Sequence, residues 1–279
     1  MFYRHLKNEL WKLFGKKRTY IGFGAFLVAQ NAMLLIFHFS RWQRNLEGML
    51  AGNGYVAAEF VSALTVAVVL LLPQVVLLMP LYTALVGGDL VAKEAEDGTL
   101  RMILSRPVSR FNLMLAKWIA GVIFSIALVL TLGITAVGFA RLWFPWRSMA
   151  VVWPPLEIFS LVDPQTGFGL YACSHAFMAL NACTVVSLAF MFSCFNMKPA
   201  AATILALSFV IFNLVMEMIP FMERFHEYLL PYHFRIWLYM YASPVPWERI
   251  VQSVSILAAF SVTTFLVGAA AFQARDIKS

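Results

Sequence analysis

Six apolar runs, separated by shorter polar stretches, organise this sequence. They cover residues 20–39, 61–86, 118–140, 171–195, 200–219 and 250–272. Each is long enough to cross about 30 Å of hydrocarbon as a helix. The second run contains Pro73 and Pro80, which predicts a kink within it. Two further apolar stretches, 149–162 and 228–241, are 14 residues long and carry prolines. Both are too short to span and are expected to be interfacial or re-entrant pieces. The second of them places an interfacial or re-entrant loop at 220–249. Ahead of the first run, Tyr3, Leu6, Leu10, Leu13 and Phe14 recur at helical spacing, with Arg4, His5, Lys7, Asn8 and Lys12 between them. That pattern predicts an amphipathic helix over residues 1–18 lying in the membrane interface. Trp11, Lys16, Lys17 and Arg18 are its expected anchors to the headgroup layer.

Composition agrees with the pattern. Of 279 residues, 61% are hydrophobic and 13% charged, against about 25% charged in a soluble domain. The fold class expected is therefore an all-α polytopic membrane protein, one transmembrane domain over 1–279. No small-residue cleavage site follows the first run, so that span is expected to be retained. The net charge of +7 would suggest nucleic acid in a soluble chain. With the N-terminus inside, however, 14 Lys and Arg, including all eight lysines, fall on the cytoplasmic side and 7 arginines outside. The charge is thus read as the positive-inside bias, with both termini cytoplasmic, lipid as a partner and no nucleic acid. Six tryptophans (42, 143, 146, 153, 237 and 247) gather at the expected outer border, where amphipathic rings prefer to lie. Cys173, Cys183 and Cys194 fall on one expected helix about ten residues, or roughly 15 Å, apart. They can neither pair nor share a metal and are read as small packing residues.

The longest strongly polar stretch is GGDLVAKEAEDGTLRMILSRPVSR, residues 87–110. It belongs to the longer internal cytoplasmic loop, expected over 87–117. Asp89 to Asp97 can continue the second span as a helix, and Gly98 stops it. Thr99 can cap a short helix over LRMILS, which Pro107 ends by pushing Arg106 towards extended geometry. Ser109 can cap the third span. The expected short helix would present Leu100, Ile103 and Leu104 beside Arg101 and Arg106, an apolar ridge fringed by cations that suits a groove on another protein. Glu94, near the membrane surface, is expected to pair with a nearby base.

These residues resemble the signature of the ABC-2 family of ATP-binding-cassette transporter permeases. In that signature an acidic residue and a Gly-Thr-Leu step precede L-S-x-P-V-S-R and a lysine opening the next span. Here these are Glu94, Gly98, Thr99, Leu100, Leu104, Ser105, Pro107, Val108, Ser109, Arg110 and Lys117. The ending AAAFQARDI is also similar to the family's close. The resemblance implies a six-helix exporter fold preceded by an interface helix, in a bacterial inner membrane. It also implies a second permease copy or homologue, and two nucleotide-binding subunits that carry ATP and magnesium. Residues 99–107 would be the coupling helix seated in the ATPase. The style of the motif is closer to the drug or bacitracin, sodium-efflux and nitrous-oxide-reductase-maturation branches than to polysaccharide exporters.

The chain has no G-x-x-x-x-G-K-[ST] motif, and its one Gly-Lys, Gly15-Lys16, has Leu10 where the first glycine should stand. It is therefore expected to be a non-catalytic subunit that binds no cofactor itself and is driven by a partner. A polytopic membrane enzyme is the rival reading, but H-E-x-x-H, G-x-S-x-G and paired intramembrane aspartates are absent. Glu223, His226, Glu227 and His233 are read as solvated loop polarity rather than a metal site. Gln30, Asn31, Gln74, Asn181 and Asn213 could line a translocation path or tie helices together. Glu217 is expected to reach the outer interface or pair with Arg224 or Arg235, and it is a further candidate for the translocation path. The loops about 40–60, 141–170 and 220–249 could instead receive a periplasmic partner to which force is transmitted.

Overall fold

The computed structural model describes residues 2–39, 41–52, 57–105 and 109–275. Helix α1 (Phe2–Gly15) leads at once into α2 (Lys17–Phe39), and α3 (Arg41–Gly52) and α4 (Ala57–Phe60) follow. Next come α5 (Ala63–Pro73), a π-helical segment (Gln74–Leu78), α6 (Met79–Glu96), the short α7 (Thr99–Leu104) and α8 (Arg110–Trp143). Strands β1 (Met149–Trp153) and β2 (Ile158–Val162) form an antiparallel hairpin. The chain ends with α9 (Pro164–Cys194), α10 (Pro199–Glu217), a 3-10 segment (Pro220–Tyr228), α11 (Leu230–Phe234), α12 (Ile236–Tyr239) and α13 (Trp247–Ala274).

Among the described residues, six helical stretches are long and apolar enough to cross a membrane: Thr19–Phe39, Ala63–Glu96, Arg110–Trp143, Pro164–Cys194, Pro199–Glu217 and Trp247–Ala274. This is an all-α polytopic membrane protein. The second and fourth stretches are the most enclosed and form the centre of the bundle, while the first and fifth mostly face outward. At 34 residues, the second and third stretches run to about 51 Å at 1.5 Å per residue. They therefore project well beyond a hydrocarbon layer of about 30 Å.

Pro73 does not break its helix. The backbone adopts a π turn over Gln74–Leu78, with the Met79 N–H donating to the Gln74 carbonyl five residues back. Such a bulge accommodates the proline without ending the helix. Gly87 and Gly88 then allow close packing on two sides. A Cβ at Gly87 would stand 2.6 Å from the Val186 carbonyl of α9, and one at Gly88 would stand 2.4 Å from Thr203 Oγ1 of α10.

The two ends of the bundle differ. One, the elbow end, carries α1 and α7. The other, the hairpin end, carries β1–β2 and the short helices α11 and α12. Residues 149–162 form the hairpin rather than an irregular piece. Val151, Val152 and Trp153 suit a strand, Pro154-Pro155 opens the turn, and Glu157 closes it in a left-handed conformation (φ 53°). Residues 228–241 form α11 and α12, buried against α9, α10 and α13. The Phe234 carbonyl there accepts a hydrogen bond from Asn181 Nδ2 at 2.8 Å.

Candidate functional site

The elbow end holds a closed ring of four charges. Lys117 Nζ lies 2.8 Å from Glu9 Oε2 and 2.7 Å from Glu94 Oε2. Lys12 Nζ lies 2.9 Å from Glu9 Oε1 and 2.8 Å from Glu94 Oε1. Each carboxylate thus offers one oxygen to each ammonium, and the four formal charges cancel. Lys117 is 0% exposed, two turns into α8. A buried lysine requires such neutralisation, because an unpaired ammonium out of water is very costly. Lys12 is more open. Burial works against its charge, but the hydrogen bonds and attraction of Glu94 and Glu9 outweigh it, so Lys12 titrates above the ordinary lysine range. The ring joins α1, the end of α6 and the start of α8. It accounts physically for the acid and the lysine of the signature: Glu94 and Lys117 are 23 positions apart and in direct contact.

Glu9 was not among the residues expected there. It sits three residues after Leu6 and four before Leu13, on the apolar face of α1. An acid on an apolar face was the available signal.

The short helix leaves the ring directly. Gly98 takes φ +73°, in the left-handed region open to glycine, and turns the chain from α6 into α7. Thr99 does not act as the N-cap. It is already helical, and its hydroxyl donates to the Glu94 carbonyl at 3.3 Å. The expected apolar ridge is also corrected. Leu100 is 3% exposed and anchors α7 to the bundle, Ile103 packs half-buried against the core, and Met102 is the residue presented outward, at 66% exposed. A six-residue helix needs such an anchor to hold its place, which turns Leu100 inward. Ser105 Oγ donates to the Met102 carbonyl at 2.9 Å. Arg106 and Pro107 lie outside the described residues, and only backbone is described for Arg18, Arg101 and Leu104. Between α1 and α7 opens a cleft of about 560 Å³ lined by His5, Asn8, Lys16, Lys93, Asp97 and Met102 among others.

Ser109 caps α8, its hydroxyl accepting from the Asn112 N–H at 3.5 Å. Arg110 donates to the Gln273 and Arg275 carbonyls, each at 3.2 Å, so the two sequence regions that carry the resemblance touch. Trp11 on α1 is 72% exposed, and Lys16 and Lys17, at the turn from α1 into α2, are also exposed.

The polar residues considered for a path do not converge. Gln30 ties α2 to α8, its Nε2 donating to the Leu132 carbonyl at 3.0 Å and its Oε1 accepting from the Thr135 hydroxyl at 2.7 Å. Asn31, Gln74 and Asn213 donate to the carbonyls of Leu27, Leu70 and Phe209, each four residues back on the same helix. Asn181 ties α9 to α11, and Glu217 is paired with Arg235 at 2.6 Å. Neither the 560 Å³ cleft nor a 390 Å³ groove between α8 and α9 is lined by any of them. The three cysteines lie on α9 as free thiols, Cys173 exposed rather than packed.

The sequence pattern described as "ABC-2 family transporter protein" matches residues 14–276. A curated relative, the "Uncharacterized protein YhcI" of Bacillus subtilis (strain 168), is 28% identical over 141 residues. That alignment covers 50% of this chain and 44% of the relative, so the chain spans less than half the length of the protein it matches.

Proposed function

Because the chain belongs to the ABC-2 family of transporter proteins, we propose that it is the permease subunit of an exporter powered by a separate ATPase. ATP and magnesium sit on that partner. The elbow end faces the cytoplasm of a bacterial inner membrane, and the permease works as a pair, with a second copy or a homologue. The ATPase seats on α7 and its cleft, over residues 99–107. The observation that carries this reading is the four-charge ring beside α7. It fastens α1, α6 and α8 into one body, so a push on the short helix reaches three helices at once. To move two states from 1:99 to 99:1, the partner must supply about 5.5 kcal/mol of differential interaction. A helix anchored by Leu100 and braced by the ring can carry that load. The signature style favours the drug, bacitracin, sodium or nitrous-oxide-reductase-maturation branches.

A second reading keeps the ATPase but replaces transport with force passed to a periplasmic partner. It is favoured by the folded hairpin and the short helices at the far end. Substrate-stimulated ATP hydrolysis in proteoliposomes supports export, whereas stimulation by the periplasmic partner supports force transmission. Leu104→Pro tests the seat itself. It should leave insertion intact and uncouple ATP hydrolysis from function. Normal coupled activity in that variant would remove α7 as the point of attachment.

A further inference from the structure

The two edges of the β1–β2 hairpin differ in kind. Along β1 the edge is closed: the Ala150 N–H turns away from β2 and donates to Thr65 Oγ1 at 2.9 Å. That bond also fixes the phase of the ladder. Ala150 stands opposite Leu161, so the two make a non-hydrogen-bonded pair, and the N–H and C=O of Leu161 point outward from β2. Among the described residues, neither of these Leu161 groups has a hydrogen-bond partner. Strand β2 also lacks the devices that usually blunt an open edge. It holds no charge and no proline, and its register runs without a bulge.

A groove of about 380 Å³ runs along this edge. Four consecutive residues of β2, Phe159 to Val162, line it, and no residue of β1 does. Successive side chains of a strand point to opposite faces, so a groove that touches four in a row lies at the edge and not on a face. Met240, Ala242, Ser243 and Val245 form the other wall and leave the edge recessed. Four residues extend about 13 Å, so 380 Å³ along them corresponds to a section of about 30 Å². A strand in stacked sheets takes about 48 Å², side chains included, and an α-helix about 80 Å² or more. The section therefore suits one extended chain with small side chains and excludes a helix or the hairpin of a second copy. Water can meet the two Leu161 groups, but it gains nothing from the apolar walls. An extended chain makes the same two bonds and covers those walls as well. We infer that β2 receives an extended, small-residue segment of a protein on the hairpin side of the membrane, which pairs with Leu161 as a third strand. The inference rests on the orientation proposed above only for the side on which that partner lies.

The test uses the full chain in lipid nanodiscs, which leave both faces open, and two fluorescein-tagged peptides. One alternates alanine and valine over seven residues. The other is its fully N-methylated counterpart, which keeps the side chains and has no N–H to give. The first should bind saturably, and the second about thirtyfold more weakly, the scale of two backbone hydrogen bonds. Leu161→Pro removes an N–H that the ladder does not use and should weaken the first peptide to the level of the second. Should that variant fail to fold, amide hydrogen exchange on the parent decides. The bound peptide should slow exchange at Leu161 at least tenfold and leave Ser160, already in the ladder, unchanged. No binding, equal binding of the two peptides, full binding to a folded Leu161→Pro variant, or a bound peptide that leaves Leu161 unprotected would each overturn the inference. Binding in nanodiscs but not to right-side-out spheroplasts would support the groove and refute the orientation instead.

Discussion

Replacing Lys117 with methionine removes one ammonium from the ring and leaves two carboxylates facing a single lysine. Glu9 and Glu94 keep 7% and 15% of their side chains exposed, so water can compensate only a small part. Removing one partner of a buried ion pair costs about 3–5 kcal/mol, chiefly through the charge left behind. Lys12, with 43% of its side chain exposed, is the weaker brace and cannot substitute. At about 2–4 °C per kcal/mol for a chain of this size, Lys117→Met should lower the unfolding temperature by roughly 6–20 °C. The compensating variant Glu9→Gln/Lys117→Met returns the ring to one acid and one base, Glu94 and Lys12. It should regain about half of that loss or more, the non-additivity expected of residues in one salt-bridge network. The assay is thermal unfolding of purified protein in one detergent, with both single variants and the double variant side by side. Two outcomes refute the reasoning: Lys117→Met melting within about 1 °C of the parent, or the double variant melting no higher than Lys117→Met alone.

Three other outcomes follow from named contacts. Gly88→Ala should lower the unfolding temperature by several degrees, because its Cβ meets Thr203 Oγ1 at 2.4 Å and the Thr203 amide nitrogen at 3.0 Å; adding Thr203→Ala should recover only the part due to the hydroxyl. Asp163 caps α9 by accepting from the Gln165 and Thr166 N–H groups, each at 3.0 Å, and these bonds hold its carboxyl below the ordinary range. Its contribution is present above the unfolded value of about 3.9 and is lost as pH falls through the lowered folded value. Asp163→Ala should therefore melt below the parent at pH 7, and the gap should begin to narrow only below about pH 4 and close as pH falls through the lowered folded value. Glu217→Gln leaves Arg235 without its 2.6 Å partner and should reduce stability while transport per folded molecule is unchanged. Lost transport at full stability would instead give Glu217 a place on the substrate's route.

Much of the fold was legible because lipid imposes a simple rule, that apolar length becomes a helix. The six runs, the break at Gly98 and the cap at Ser109 follow from local chemistry. What was not legible depends on partners distant in sequence. Glu9 looks like an ordinary acid in a basic helix until Lys117, 108 residues away, is placed against it. Leu100 could face either way along the chain, and only the core behind α7 turns it inward. The hairpin was hidden because its two prolines read as breakers of an interfacial piece rather than as the turn between two short strands. The polar residues of the spans proved local in a different sense: Asn31, Gln74 and Asn213 donate back to their own helices, a satisfaction that any helix can supply and that leaves no trace in composition.

The π turn after Pro73 has a consequence in winding phase. It holds one residue more than an α turn would, and one residue in an α-helix is worth about 100° of rotation. The azimuth of every later side chain in α6, including Gly87, Gly88 and Glu94, is therefore set by that surplus residue. Deleting a single position between 74 and 78 would shorten the helix very little. It would swing the acid out of the charged ring and the glycine pair off their two neighbours together, with every side chain concerned left intact.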